Sequence, residues 1–171
     1  MMRKLTLLTG AAAAALLPAA AAYAACMQPA EKTAFDVRAL QSQLMVVALT
    51  CQQQDDYNAF VRRHMNELGA AHQGLVSYHR RAHGAQHQRL LDQYITNLAN
   101  SQMQAGITQG SHFCRNQAPL FQMAMAATNR TELANIAVTA GIPQPIDAQL
   151  CPAGRTPARG QGSQTSQAGG R

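Results

Sequence analysis

The sequence contains no tryptophan, and few of its residues are aromatic (5%) or charged (13%). Nucleic-acid binding relies on a basic face for the phosphates and on aromatic side chains that stack on the bases. The net charge of +6 is concentrated at the two ends of the chain, at Arg3, Lys4, Arg155, Arg159 and Arg171. Without these five residues, nine basic residues stand against eight acidic ones. The composition therefore argues against a nucleic acid as the partner.

The sequence also lacks the short motifs of common enzyme active sites. It has no Gly-x-Ser-x-Gly nucleophile elbow and no glycine-rich phosphate loop after a predicted strand. The adjacent carboxylates of Asp55 and Asp56 fit a helix start better than acid–base chemistry. We therefore assign no catalytic residue.

The first 24 residues have the features of a secretory signal peptide. Two basic residues precede an apolar, alanine-rich stretch, which closes with Ala22-Tyr23-Ala24, a small-x-small cleavage site. We predict that residues 1–24 are removed, that the mature chain begins at Ala25, and that the protein is periplasmic or secreted. No membrane association is expected after cleavage, and the expected partner is an unknown protein of the cell envelope.

Cys26 lies close enough to this cleavage site to leave lipidation as an alternative. Tyr23 stands three residues before it, at the place where a lipoprotein signal normally has leucine. A transmembrane anchor is a third interpretation, which Pro18 and the missing basic flank argue against.

Export gives the four cysteines a structural meaning. In an oxidising compartment, Cys26, Cys51, Cys114 and Cys151 most readily form two disulfides, with three connectivities open. None of them belongs to a C-x-x-C pair, which argues against a zinc ribbon, a thioredoxin-type redox site and c-type haem attachment.

Spacings of three and four between apolar residues predict helices along the body of the chain. The first runs from Glu31 to about Gln54, and a third from roughly Gln86 to Gln104. Between them a second helix follows the N-cap signal of Asp55 and Asp56 and bends or breaks near Gly69.

Two further helices are predicted after the third. The fourth begins near Ser111, and Pro119 is expected to kink it or restart it one turn in. The last begins at Asn129 with Glu132 three residues later, a capping-box-like start, and stops at Gly141.

No stretch shows convincing period-two alternation, so the predicted fold is all-α. We expect four or five short helices in a bundle or an orthogonal array, stapled by disulfides. The predicted division is a signal peptide at 1–24, a helical domain at 25–151 and a disordered tail at 152–171. The tail has no large apolar side chain with which to bury surface.

The helix faces favour one of the three disulfide pairings. Cys51 continues the apolar face of the first helix, and Cys114 shares a face with Phe121 in the fourth, so both are expected to point into the core. Packing of these helices would join Cys51 to Cys114. Cys26 and Cys151 flank the helical body, and their pairing would join its two ends.

The histidines His79, His83 and His87 follow one another at spacings of four. Two imidazoles at i and i+4 on a helix can bind one metal ion, so these three are candidate ligands of divalent zinc, copper or nickel. Arg80 stands where zinc peptidases have a glutamate, and Arg80 and Arg81 oppose an incoming cation.

Other interpretations of these residues need no cofactor. His64 is expected to face the core beside Phe60 and the other histidines to be solvated, or to act together as a pH sensor. Methionine thioethers offer a second route to copper, although methionine at helical spacing ordinarily fills gaps in a core. The methionines in question are Met65, Met103, Met123 and Met125.

Four stretches resemble a group of uncharacterised bacterial exported helical proteins: FDVRAL at 35–40, LMVVALTC at 44–51, DYNAFV at 56–61 and HFC at 112–114. The resemblance covers roughly residues 31–127. It implies an exported helical domain and no activity.

These observations together predict a non-enzymatic protein, periplasmic or secreted, that acts by binding or by structural association. A periplasmic metal-binding protein that uses His or Met is the alternative. An enzyme without a recognisable motif is a third hypothesis.

Overall fold

The computed structural model describes residues 26–152, which form an all-α, disulfide-stapled fold, as predicted. Short 3-10 turns lie at Gly84–Gln86 and Gly110–His112, and within residues 26–152 the only β pairing is an isolated bridge between Met27 and Leu150. The predicted signal peptide and nearly all of the predicted tail lie outside the described residues. The helices are α1 (Pro29–Cys51), α2 (Gln54–Arg63), α3 (Met65–His83), α4 (His87–Gln109), α5 (Phe113–Ala126) and α6 (Arg130–Thr139).

Helix α1 lies at the centre and contacts all five other helices. Pro29 is its first residue, a position that needs no backbone donor, and the backbone N–H of Gln28 donates to Glu31 Oε2 at 2.7 Å. Its predicted apolar face is buried except for Cys51, which is half-buried, and residues on its other sides are buried as well, including Phe35, Asp36 and Gln43. A helix that is buried on nearly every side organises the whole core.

The predicted second helix is two helices, which meet at His64. The ring of His64 is buried, and its Nε2 lies 2.9 Å from the carbonyl oxygen of Ala124 in α5. A break was expected near Gly69 instead, but Gly69 lies inside α3. The contact that sets this junction joins residues 60 positions apart in sequence. With the extra break, the described chain has six helices, one more than the largest number predicted.

The face of α5 that packs on the core is shifted by one position along the sequence from the predicted face. Phe113, Phe121 and Ala124 are buried, whereas Cys114 is exposed, contrary to the expectation that it points inward. The larger apolar area of Phe113 explains the shift, because burying a phenyl ring stabilises more than burying a thiol. Helix α5 also continues through Pro119 without restarting.

The two disulfides have the predicted pairing. Cys51–Cys114 joins the end of α1 to the start of α5, and Cys26–Cys151 joins the two ends of the described chain. Because Cys51 is half-buried and Cys114 exposed, the first bridge lies at the edge of the core. Two disulfides indicate an oxidising, extracytoplasmic environment. Of the helices in residues 26–152, none is long and apolar enough to cross a membrane.

After α6 the chain returns along the molecule as a non-helical segment, residues 142–152, here called the strap. Ile142, Ile146 and Ala148 are partly buried against the core. The strap ends beside the start of the described chain, where Met27 N donates to the carbonyl of Gln149 at 2.7 Å. It thus forms one wall of the site described next.

Candidate functional site

A groove of about 660 Å³ lies between the strap and the helices α3 and α4. Helix α3 lines it with residues near its C-terminal end, and α4 lines it with four residues at spacings of three and four, which share one helix face. Strap residues 145–149 and Cys26 complete the lining. The lining side chains of α3 are Tyr78, His79 and His83, and those of α4 are Leu90, Gln93, Tyr94 and Asn97.

The inner side of the groove rests on four packed rings, which come from three helices. The ring of Phe35 in α1 meets Tyr78 and Tyr94 edge to face, with centroids 5.2 and 4.9 Å apart. His79 stacks on Phe35 at 5.9 Å. Edge-to-face pairs of this kind stabilise a fold by about 0.5–1.5 kcal/mol beyond their burial. All four rings are buried, so they give the groove a fixed inner wall.

His79 is held in one tautomer by a backbone contact. Its ring is only 3% exposed, and its Nδ1 lies 2.8 Å from the carbonyl oxygen of Leu75, one turn earlier. Because a carbonyl only accepts, Nδ1 carries the proton, and Nε2 of the neutral ring keeps its lone pair. Burial lowers the pKa of His79 below its usual value, and His83 and His87 act in the same direction, while the Leu75 bond opposes them. The ring is therefore neutral at pH 7.

Tyr94 carries a buried hydroxyl that has no hydrogen-bond partner among the described residues. Burial raises the pKa of Tyr94 far above its usual range, an effect that the nearby Arg38 opposes and Asp36 reinforces. Burial also raises the pKa of Tyr78. Both phenols are therefore protonated at neutral pH, and the inner wall of the groove carries no formal charge there.

A buried carboxylate holds the N-terminal end of the strap. Asp36 in α1 accepts from Lys32 Nζ at 2.6 Å and from Gln144 Nε2 of the strap at 2.8 Å. A buried charge is costly without such partners. The amide of Gln102 in α4 donates to the carbonyl of Pro143 at 3.3 Å and so holds the same end.

The C-terminal end of the strap is held by backbone hydrogen bonds and by a disulfide. Cys151 N donates to the carbonyl of Met27 at 2.9 Å, next to the Cys26–Cys151 disulfide. The side chain of Arg81 reinforces this corner, because it donates to the carbonyl of Cys26 at 2.8 Å and pairs with Glu31 at 2.6 Å. The strap is thus fixed on both sides of the groove.

The structure does not bring the three predicted metal ligands together. His83 is exposed, and its ring centroid lies 5.5 Å from that of His79. His87 begins a separate helix and uses Nδ1 to donate to the carbonyl of Gly84 at 2.9 Å. Within residues 26–152, no three His, Cys, Asp or Glu side chains are grouped to hold a metal ion. His79 and His83 remain as a pair.

The other histidines and the methionines lie apart from the groove. His64 is buried beside Phe60, as expected. The expectation that the other histidines are largely solvated is wrong for His79, which is buried. The expectation that the methionines fill core gaps is wrong for Met65, Met103 and Met123, which are exposed on three different helices.

Several residues of the groove were not singled out from the sequence as functional residues. Asp147 and Asn97 line it, but nothing in their neighbourhood along the chain marks them. Tyr94 falls within the third predicted helix, roughly Gln86 to Gln104, whose pattern gives it no functional role. The residue type itself is a signal, because a tyrosine on a buried helix face has a hydroxyl that needs a hydrogen-bond partner.

Comparison with protein-family models, curated proteins and solved structures finds no match for this chain. The resemblance to exported helical proteins therefore stays a prediction.

Proposed function

We propose that the protein is a non-enzymatic binding protein that works in the periplasm or after secretion, and that the groove holds a small-molecule ligand. The observation that carries this proposal is a groove of about 660 Å³ with a wall fixed at both ends. Small-molecule sites have volumes of about 300–1,000 Å³ and combine apolar surface with a few polar groups.

The chemistry of the lining supports binding over covalent catalysis. In the described part of the chain, the lining residues include no serine, threonine or lysine, and Cys26 is in a disulfide. The Nδ1 of His79 is bonded to a backbone carbonyl and not to a carboxylate that would activate the ring as a base. Gln93, Asn97 and Asp147 supply polar groups that can orient a ligand.

The proposal is tested with protein purified from the cell envelope and examined by native mass spectrometry. A ligand bound in the groove is expected as an added mass that organic solvent removes. Asn97→Trp should abolish the added mass, because the indole would fill the groove. Gln104→Trp is the matched control, since Gln104 is also exposed on α4 but does not line the groove.

Two outcomes would count against the groove as the binding site. One is that the added mass survives Asn97→Trp, and the other is that Gln104→Trp removes it equally well. Capture from the envelope fraction with the mature protein separately tests the prediction of an envelope partner.

A further inference from the structure

We propose that His79 and His83 are the two protein ligands of a divalent transition-metal ion, bound most tightly as Cu(II), on the α3 side of the groove. This inference goes beyond the proposed function, because it does not depend on whether the groove also takes a small organic ligand. It names a pair and not the three-histidine set that the sequence suggests.

The geometry of the pair carries the proposal. The two rings lie one helical turn apart, with centroids separated by 5.5 Å and planes inclined by 49°. Metal–imidazole bonds are about 2.0–2.1 Å long, so two ring nitrogens can reach one ion between rings at this separation. Both rings line the groove, which leaves the remaining coordination positions of the ion open to water or to a ligand.

The donor bond of His79 is the arrangement that metal-binding histidines usually have. Such a histidine donates its other ring N–H to a carboxylate, a backbone carbonyl or water, which fixes the tautomer and the ring orientation. Nδ1 of His79 does this toward Leu75 at 2.8 Å, and Nε2 has no hydrogen-bond partner in residues 26–152. The ring of His79 lines the groove, so Nε2 is the nitrogen left to bind an ion there.

The charges around the pair are less unfavourable than the sequence indicates. Of the two cations that flank it, Arg81 is held by Glu31 and by the carbonyl of Cys26. Arg80 is exposed, where water screens its charge. The strap contributes Asp147 to the lining of the groove, so this lining also includes a carboxyl group. The other titratable groups beside the pair are His87, whose charge acts on His79, and the phenols of Tyr78 and Tyr94.

The donor set selects the class of metal. Imidazole nitrogen suits Cu(II), Ni(II) and Zn(II). Among the divalent first-row metal ions, Cu(II) has the highest affinity for a given site. Calcium and magnesium prefer oxygen ligands, so they are not expected here. With only two protein ligands, dissociation constants on the order of 10 micromolar are expected for Cu(II), which corresponds to about −7 kcal/mol.

The test is calorimetric titration of tag-free, oxidised protein with Cu(II) in a buffer that coordinates the metal only weakly. One Cu(II) per chain is expected, with Ni(II) and Zn(II) binding more weakly. His83→Gln should weaken Cu(II) binding at least tenfold without harm to folding, because His83 is exposed. Its matched control is His72→Gln, an exposed histidine of the same helix outside the groove, which should change the affinity less than twofold.

Electron paramagnetic resonance of the Cu(II) complex provides a second readout. Superhyperfine splitting from two imidazole nitrogens is expected, and His83→Gln should reduce it to one. The proposal is overturned if His83→Gln leaves affinity and spectrum unchanged, or if His72→Gln weakens binding as much. Either result would leave the groove as a ligand site, because the native mass measurement with Asn97→Trp does not involve a metal.

Discussion

At the scale of single residues, Gly74 lies at a close approach of helix α3 to helix α1. A methyl group added there would lie 2.6 Å from the Cβ of Ala34 in α1, which is closer than real side chains come. Gly69 lies in the same helix with nothing within 4 Å of an added Cβ. One glycine of α3 is therefore required by packing, and the other is not.

Gly74→Ala is expected to destabilise the protein by about 1–3 kcal/mol, because α3 must move away from α1. Gly69→Ala is expected to stabilise it by about 0.5–1 kcal/mol, because alanine loses less backbone freedom on folding into a helix. Urea unfolding followed by circular dichroism measures both. Equal effects of the two substitutions would mean that the α1–α3 contact is looser than described.

Tyr94 gives a prediction about alkaline pH. Its pKa is raised in the folded protein by burial, so its contribution to stability is complete below about pH 10 and is lost as pH rises above that value. Tyr94→Phe should reduce the loss of stability between pH 9 and 11. At pH 7 it should leave stability unchanged or raise it, since it removes a buried hydroxyl without a partner.

The measurement for Tyr94 is the melting temperature as a function of pH. Tyr57→Phe is the control, because Tyr57 is only half-buried on α2 and lies outside the groove. A wild-type alkaline slope in Tyr94→Phe would show that the phenol ionises freely in the folded state.

At the scale of the elements, the two disulfides make different connections. Cys51–Cys114 joins two helices of the core, whereas Cys26–Cys151 holds the strap. The chain-entropy relation gives the second bridge the larger effect by about 0.6 kcal/mol, because it closes the longer loop. Without the second bridge, however, the strap can detach locally while the helices stay folded. This detachment raises the entropy of the folded state as well as that of the unfolded state, so the second bridge stabilises the fold less than its loop length indicates.

Cys51→Ser/Cys114→Ser is therefore expected to lower the melting temperature more than Cys26→Ser/Cys151→Ser. Thermal unfolding followed by far-ultraviolet circular dichroism compares the two double variants, which leave no unpaired thiol. Hydrogen exchange should show faster exchange in residues 142–152 of the second variant alone. A larger loss of melting temperature in the second variant would make the strap an integral part of the cooperative unit.

The sequence predicts the helices well where one apolar period continues without competition. Helix α1 and the Asn129 cap of α6 are such cases, and Asn129 Oδ1 accepts from the N–H of Glu132 at 3.0 Å, as expected. Helix α5 has two overlapping apolar faces, and the sequence pattern predicts that the face with Cys114 is buried, whereas the structure buries the face with Phe113. The cysteine pairing was correct although the expected burial of Cys114 was not.

The groove could not be predicted in the same way. It depends on residues far apart in sequence, such as Asp36 and Gln144, whose hydrogen bond spans 108 positions. Local periodicity contains no information on where the strap returns. The sequence shows the spacing of His79 and His83. It does not show that His87 begins a separate helix and so lies apart from this pair.

At the scale of the whole molecule, the disulfide of Cys26 bears on processing. Lipidation would attach a lipid to the same sulfur through a thioether, so a lipidated Cys26 cannot form the bond to Cys151. The exported protein should therefore have the intact mass of residues 25–171 without acyl groups and with four hydrogens fewer than the reduced chain. A start at Cys26 with added acyl mass would contradict both the cleavage site and the disulfide.

The two ends of the described chain leave the body at one point, where the Cα atoms of Cys26 and Cys151 are 4.9 Å apart. A pulling force applied through both ends would pass through the covalent bond between the sulfurs and would not load the helices. Reduction of that single bond would redirect the same force into the strap and then into α1. The body is thus mechanically shielded for as long as its surroundings remain oxidising.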